Sequence, residues 1–252
     1  MRLSESELER YNRQILIKGW GVKGQKKLKR SKVMVVGVGG LGSVSSLYLA
    51  AAGIGKLVLI DKDKVSLSDL NRQILYSEED LGLLKVDVAK RKIESLNSEV
   101  NVEAVIGEIT KGNVRDLIED VDVVVDGLDN WSTRFILNEC CVEKSIPFVH
   151  AGVSEFYGQI TTVMPGRGPC LRCIFPEKPH ELKVIPIFGA IPGVLASLQV
   201  VEVIKMITGI GRLLVGRMLL LDGEGMTCEE TEIKRNPNCP ICGSLNRSDR
   251  TF

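Results

Sequence analysis

The apolar run from Val33 to Val36 leads straight into Gly37-Val38-Gly39-Gly40-Leu41-Gly42-Ser43, and an Ala- and Leu-rich stretch follows as far as Gly53. A strand that ends in Gly-x-Gly-x-x-Gly and reopens as a helix permits few folds. Gly37 allows the tight exit from the strand. Gly39, with Gly40 beside it, lets backbone amides approach a phosphate, and Gly42 lets the helix pack close to the sheet. The helix start then offers free N–H groups and a partial positive charge to an anion. A second strand, Leu57 to Ile60, ends in Asp61, near where such units place a ribose-binding carboxylate. A glycine-rich turn with no ligand is the alternative, and the ordered series of strand, turn, helix, strand and acid weighs against it. The turn alone serves NAD and ATP users equally.

The chain has 252 residues, enough for one large α/β domain or two small ones, and 44% of them are apolar. Its 33 basic and 32 acidic residues leave a net charge of +1, which points to neither nucleic acid nor a membrane surface. The polar start, with Ser4 and Glu7 spaced as a capping box, does not read as a signal peptide. Ile191 to Ile207 is the longest apolar candidate, but Pro192, Gln199, Glu202 and Lys205 interrupt it, so it reads as a core helix.

Helices are expected over 4–30, 41–52, 82–96, 112–119, 131–144 and 193–208, and strands over 33–36, 57–60, 101–105, 121–125 and 147–150. This alternation predicts an α/β fold with a Rossmann-like parallel sheet. Beyond His150 the pattern changes. Residues 156–163, 213–221 and 226–233 are strand-like, which predicts an antiparallel or mixed extension of the sheet. One continuous domain over 1–252 is expected: N-terminal helices (1–30), a nucleotide half (31–150) and a second half (151–252). Ligands of such sheets bind beyond the carboxyl ends of the parallel strands, where Gly37, Asp61, Asp126, Asp129 and His150 fall. The long polar loop 62–81 has the length of a functional loop.

Four of the seven cysteines form two pairs, Cys170-x-x-Cys173 and Cys239-x-x-Cys242. Together they can close a tetrahedral thiolate site around structural zinc, clipping the C-terminal segment to the middle of the chain. A redox-active pair is the competing reading, and two pairs in loops argue against it. A reducing, cytoplasmic compartment follows. Cys140, Cys141 and Cys228 read as packing residues.

Asp129 lies just past strand 121–125, where a carboxylate near bound phosphates is placed to hold Mg²⁺. A helix N-cap is its competing role, and Asn130 could take that instead. Arg72 and Lys85 could bring cations to phosphates, although by spacing alone each reads as a surface charge.

Arg10-Tyr11-Asn12-Arg13-Gln14, the glycine turn, Asp61-Lys62-Asp63, Arg72-Gln73, Lys85, Asp129-Asn130 and the two Cys-x-x-Cys pairs follow one another along almost the whole chain. The series resembles the HesA/MoeB/ThiF family, relatives of ubiquitin-activating enzymes, and MoeB most of all. That resemblance implies an adenylyltransferase. A small ubiquitin-like sulfur carrier of the MoaD or ThiS type would insert its Gly-Gly tail, and its terminal carboxylate would attack the α-phosphate of ATP to give an acyl adenylate and pyrophosphate. The glycine turn, Asp61, Asp63 and Asn71 would serve the nucleotide, with Arg72, Lys85 and Asp129-bound Mg²⁺ cancelling phosphate charge. A homodimer would supply Arg13 from the partner subunit.

Two departures bear on this. The span Ile174 to Pro192 carries no cysteine, so the resemblance favours adenylation without a covalent carrier adduct on that loop. The family's usual Ser-Asn-Leu-x-Arg-Gln reads here Ser68-Asp69-Leu70-Asn71-Arg72-Gln73, which puts an acid where the family has an amide and leaves Asn71 as a substitute. With the chain ending at Phe252, no appended sulfurtransferase domain is expected. Competing classes are an NAD-dependent oxidoreductase using His150 as its acid, a zinc-stapled binding protein and a tRNA-directed dehydratase of the same family. The carrier and its pathway are not legible.

Overall fold

The alternation of buried residues along the central strands builds the molecule in three layers. In the computed structural model, which describes residues 2–181 and 184–244, Val33 and Val35 of β1 (Lys32–Val36) face one apolar cluster, while Met34 and Val36 face another. A strand buried on both faces reads as a continuous apolar run, and parallel sheets require it. Each such side chain contributes about 1.5–3 kcal/mol by its burial.

The other strands are β2 (Lys56–Asp61), β3 (Asn101–Ile106), β4 (Val123–Asp126), β5 (Phe148–Ser154), β6 (Tyr157–Val163), β7 (Arg217–Asp222) and β8 (Thr227–Glu232). Among the described residues they form one sheet in the order β3-β2-β1-β4-β5-β6-β7-β8. From β3 to β5 the pairing is parallel, and from β5 to β8 antiparallel. Of the antiparallel or mixed extension expected beyond His150, the structure shows the antiparallel one. The strand order reverses between β1 and β4, which opens a crevice at their carboxyl ends.

The helices are α1 (Glu5–Arg10), α2 (Asn12–Ile15), α3 (Gly21–Arg30), α4 (Gly40–Ala52), α5 (Lys85–Leu96), α6 (Val114–Leu117), α7 (Trp131–Lys144), α8 (Leu171–Ile174) and α9 (Ala190–Thr208). Residues of α3, α4, α5 and α9 join the first cluster; residues of α6, α7 and α8 join the second. By length and composition α9 could cross a membrane. Here it is a core helix: Leu195, Ala196 and Val203 are fully buried, and buried Gln199 and Glu202 are hydrogen bonded.

Some boundaries differ from expectation. α9 starts at Ala190 rather than Gly193, because Pro192 falls in the first turn, where a missing N–H costs nothing. The helix expected over 112–119 shrinks to α6, and the strand expected from Val121 starts at Val123. Loop 62–81 holds two 3-10 turns, each closed by a capping box: Ser66 with Asp69, and Ser77 with Asp80. Cys140 and Cys141 are buried in α7, as a packing role requires, but Cys228 is exposed. It lies on edge strand β8, all of whose residues are exposed. The chain end at Phe252 lies outside the described residues.

Candidate active site

The crevice at the strand-order reversal has a volume of about 560 Å³. Its floor is two abutting glycine turns. Gly37 N donates to Ile60 O at 2.8 Å, and Gly127 N donates to Val36 O at 2.8 Å. Gly37 adopts φ +84°, and a Cβ there would stand 2.6 Å from Gly127 O, so only glycine fits. A Cβ on Gly42 would collide with Gly37 O, which locks the start of α4 against the turn. Gly39 caps α4 without any side-chain hydrogen bond, so the first amides of this helix remain available to an anion.

Each strand end contributes a side chain. At the end of β2, Asp61 accepts from Val38 N at 2.7 Å and from Asp63 N at 2.9 Å. Those bonds hold its carboxylate beside the glycine turn. Asp129 follows β4 and is exposed. Asn130 caps α7, its Oδ1 accepting from Thr133 N at 2.8 Å. The capping role that competed for Asp129 is thus taken by its neighbour.

From the loop after β2, Arg72 and Lys85 reach the same crevice. Lys85 is the first residue of α5 and only 6% exposed, with Asp69 3.5 Å and Asp63 3.9 Å from its Nζ. These two cations are not the surface charges that spacing alone suggests. Asp69 is buried and bonded within its own loop, to Ser66 and Gln73. Asn71, by contrast, is exposed, does not line the crevice, and its Oδ1 accepts from Arg72 Nη1 at 3.1 Å. A one-residue step along the turn that follows the 3-10 helix Leu67–Asp69 rotates a side chain away from the face its neighbours share.

The lining carries six carboxylates against four cations. A polyphosphate would meet net repulsion there unless a divalent cation came with it. Gly37, Gly39, Gly40, Asp61, Asp63, Arg72, Lys85 and Asp129 all line this one space. Arg13 does not; it is exposed on α2.

His150 does not reach the crevice either. It is fully buried, its Nδ1 2.6 Å from Asp126 Oδ2, and burial lowers its pKa from the ordinary histidine value. That position removes it as a proton donor for hydride chemistry. Arg134 completes a buried cluster with these two residues, which sequence reading missed. Its Nε donates to Asp126 Oδ2 at 3.0 Å and its Nη2 to Leu128 O and Ala151 O. Tyr76 and Gln199 were also missed. Tyr76 Oη donates to Val38 O at 2.8 Å, tying the glycine turn to the loop. Gln199 Nε2 donates to Asp126 O at 2.8 Å and Val149 O at 3.1 Å. A polar residue amid apolar neighbours in α9 was the available signal for Gln199.

A second groove of about 560 Å³ runs alongside, lined by Tyr157, Leu220, Leu221, Gly152 and Gly158 among others. It shares Asp129, Arg134, Val153, Glu181 and Ile185 with the crevice.

At the far side of α7, Cys170, Cys173, Cys239 and Cys242 bring their sulfurs within 4.8 Å of one another. Cys170 Sγ lies 3.7 Å from Cys239 Sγ, and Cys173 Sγ 3.3 Å from Cys242 Sγ. Tetrahedral zinc with bonds of about 2.3 Å sets sulfurs close to these separations, so the donor set fits the metal. Four sulfurs meeting at one point also favour zinc over a single redox pair.

Comparison with known proteins fits this geometry. The sequence profile of the ThiF family matches residues 11–241. The SAMP-activating enzyme E1 of Haloferax volcanii is 41% identical, with 96% of this chain covering 92% of the relative. The sulfur carrier protein adenylyltransferase of Thermus thermophilus is 39% identical, over 96% of this chain and 93% of the relative. Among solved structures, E. coli MccB with ATP superposes with a TM-score of 0.83 at 28% identity, covering 95% of this chain and 75% of that one.

Proposed function

The chain belongs to the ThiF family, and we propose that its crevice joins ATP to the terminal carboxylate of a small ubiquitin-like sulfur carrier ending in Gly-Gly. It is an adenylyltransferase. A carboxylate oxygen of the carrier attacks the α-phosphorus, the bond to the bridging oxygen of the β-phosphate breaks, and pyrophosphate leaves an acyl adenylate behind. No nucleophile from the protein is needed. Two anions must meet, so catalysis is positioning and charge stabilisation.

The convergence of the glycine turn, Asp61, Arg72, Lys85 and Asp129 on one crevice carries this reading. Free amides at the start of α4 receive phosphate oxygens, and Asp61 receives the ribose hydroxyls. Arg72 and Lys85 offset charge on the phosphates. Asp129 holds Mg²⁺, which supplies the divalent charge that an acid-rich lining demands. The adjoining groove gives the carrier tail a route to the α-phosphate, and Gly152 in its lining, whose Cβ would point at the groove residue Gln159, leaves room for a narrow Gly-Gly strand. Arg13, exposed and outside its own crevice, reaches the site of a partner subunit in a homodimer. The four cysteines hold structural zinc, and seven cysteines without a disulfide suit a reducing, cytoplasmic compartment. The whole of 1–252 works as one adenylation domain.

Exchange of labelled pyrophosphate into ATP is the test, using zinc-loaded protein, Mg²⁺ and small ubiquitin-like carriers. Exchange should require a carrier with an intact Gly-Gly end. Silence with every Gly-Gly-tailed carrier overturns the reading.

A further inference from the structure

Asp69 stands between Arg72 and Lys85, two of the four cations that line the crevice. Its Oδ2 accepts from Ser66 N and Ser66 Oγ, each at 2.9 Å, and its Oδ1 accepts from Gln73 Nε2 at 2.8 Å. Arg72 Nη2 lies 3.5 Å from Oδ1, and Lys85 Nζ lies 3.5 Å from Oδ2. The residue is 7% exposed, and the Lys85 side chain is equally withdrawn. Three neutral donors fix the carboxylate, and the carboxylate in turn holds one cation on each oxygen. Capping the 3-10 turn needs only a hydrogen-bond acceptor; it does not need a charge midway between two cations.

We propose that Asp69 is a positioning residue for the phosphates: it holds Arg72 and Lys85 in register and lowers their joint charge, so that ATP binds firmly yet pyrophosphate leaves. This rests on the adenylation reading. Two neutral variants separate charge from capping. Asp69→Asn keeps the shape, and Asp69→Ser keeps a small polar group at the turn. In either, Arg72 faces incoming phosphates without its carboxylate partner, and Lys85 keeps only the exposed Asp63, 3.9 Å from its Nζ. Asp69→Glu keeps the charge and makes the ordinary Ser-x-x-Glu capping box.

Calorimetry with MgATP and with inorganic pyrophosphate, carrier absent, reads the effect directly. Both neutral variants should bind pyrophosphate tighter, by about three- to tenfold, because one unscreened charge nearby is lost. Their affinity should fall more steeply with salt, and kcat for exchange should drop as pyrophosphate lingers. Asp69→Glu should move each quantity back toward wild type. Equal or weaker pyrophosphate binding in the folded neutral variants, with an unchanged salt slope, reduces Asp69 to a cap and overturns the proposal. A wild-type protein that binds MgATP but exchanges nothing with any carrier removes the adenylation reading and leaves the Asp69 measurement standing. Failure of the wild type to bind either probe overturns both.

Discussion

Arg134 donates its Nε–H to Asp126 Oδ2 at 3.0 Å, with both side chains almost wholly withdrawn from water. The same carboxylate oxygen lies 2.6 Å from His150 Nδ1, and the arginine also binds Leu128 O in the segment that presents Asp129. Arg134→Met should leave the Asp126 carboxyl in the core without its guanidinium partner. Removing one partner of a buried pair costs about 3–5 kcal/mol. Urea unfolding should show that loss, and Arg134→Met with Asp126→Asn should lose less than the sum of the two single variants.

Asp129 and Arg13 can be tested together. Asp129 is exposed and Asn130 does the capping, so Asp129→Ala should keep its melting temperature. Pyrophosphate exchange should fall by about 10² or more in Asp129→Ala and in Arg13→Ala, as when a charge-stabilising group is lost. Mixing the two variants under subunit exchange should restore about a quarter of wild-type activity, since half the sites in a mixed dimer combine intact residues. A mixture as inactive as its parts contradicts the cross-subunit role of Arg13.

Zinc content should be one ion per chain by elemental analysis. Cys242→Ser leaves three thiolates where four sulfurs converge. Its metal occupancy should fall, and chelator should lower the melting temperature of wild type further than that of the variant. Structural zinc contributes on the order of 10 kcal/mol in small metal-dependent domains. Here part of that is retained by packing of Cys170, Cys239 and Cys242 in the second apolar cluster.

Acid should weaken the loop that carries Arg72. Burial pushes the Asp80 carboxyl up, but the Lys92 ammonium and the Ser77 N–H outweigh it and hold it at about 2, against the usual 3.8. Arg91 Nη2 adds a contact at 2.6 Å. Because the folded value is the lower one, the stabilisation is complete above about pH 4 and disappears as pH falls toward 2. The gap corresponds to about 2 kcal/mol. Asp80→Asn should lose about that much at pH 7 and show a flatter stability profile between pH 4 and 2 than wild type.

Much of the parallel half was legible because its signals are local. β1, the glycine turn and α4 fall in sequence order with strong apolar periodicity, and Gly53 ends α4 with φ +85° where a helix stop was expected. Weak segments were not legible: α6 forms a single turn, and Cys228 reads as a core residue only if the edge position of β8 is unknown. Zinc spacing was legible because two Cys-x-x-Cys turns have few other uses. Arg134 was not, since nothing in helical periodicity marks a charge that will be paired inside.

Sequence by itself determined the kinds of chemistry on offer: a phosphate-binding turn, four thiolates, and a set of acids and cations in family order. Tertiary structure decided which of them meet. The strand order reverses between β1 and β4, and that reversal brings Asp129 beside Asp61, Arg72 and Lys85. Local turn geometry leaves Asn71 exposed, and packing of β5 sinks His150 into the core. The physical reason is that spacing along a chain specifies neighbours within a turn or two, whereas proximity across the sheet follows from burying both faces of β1 at once.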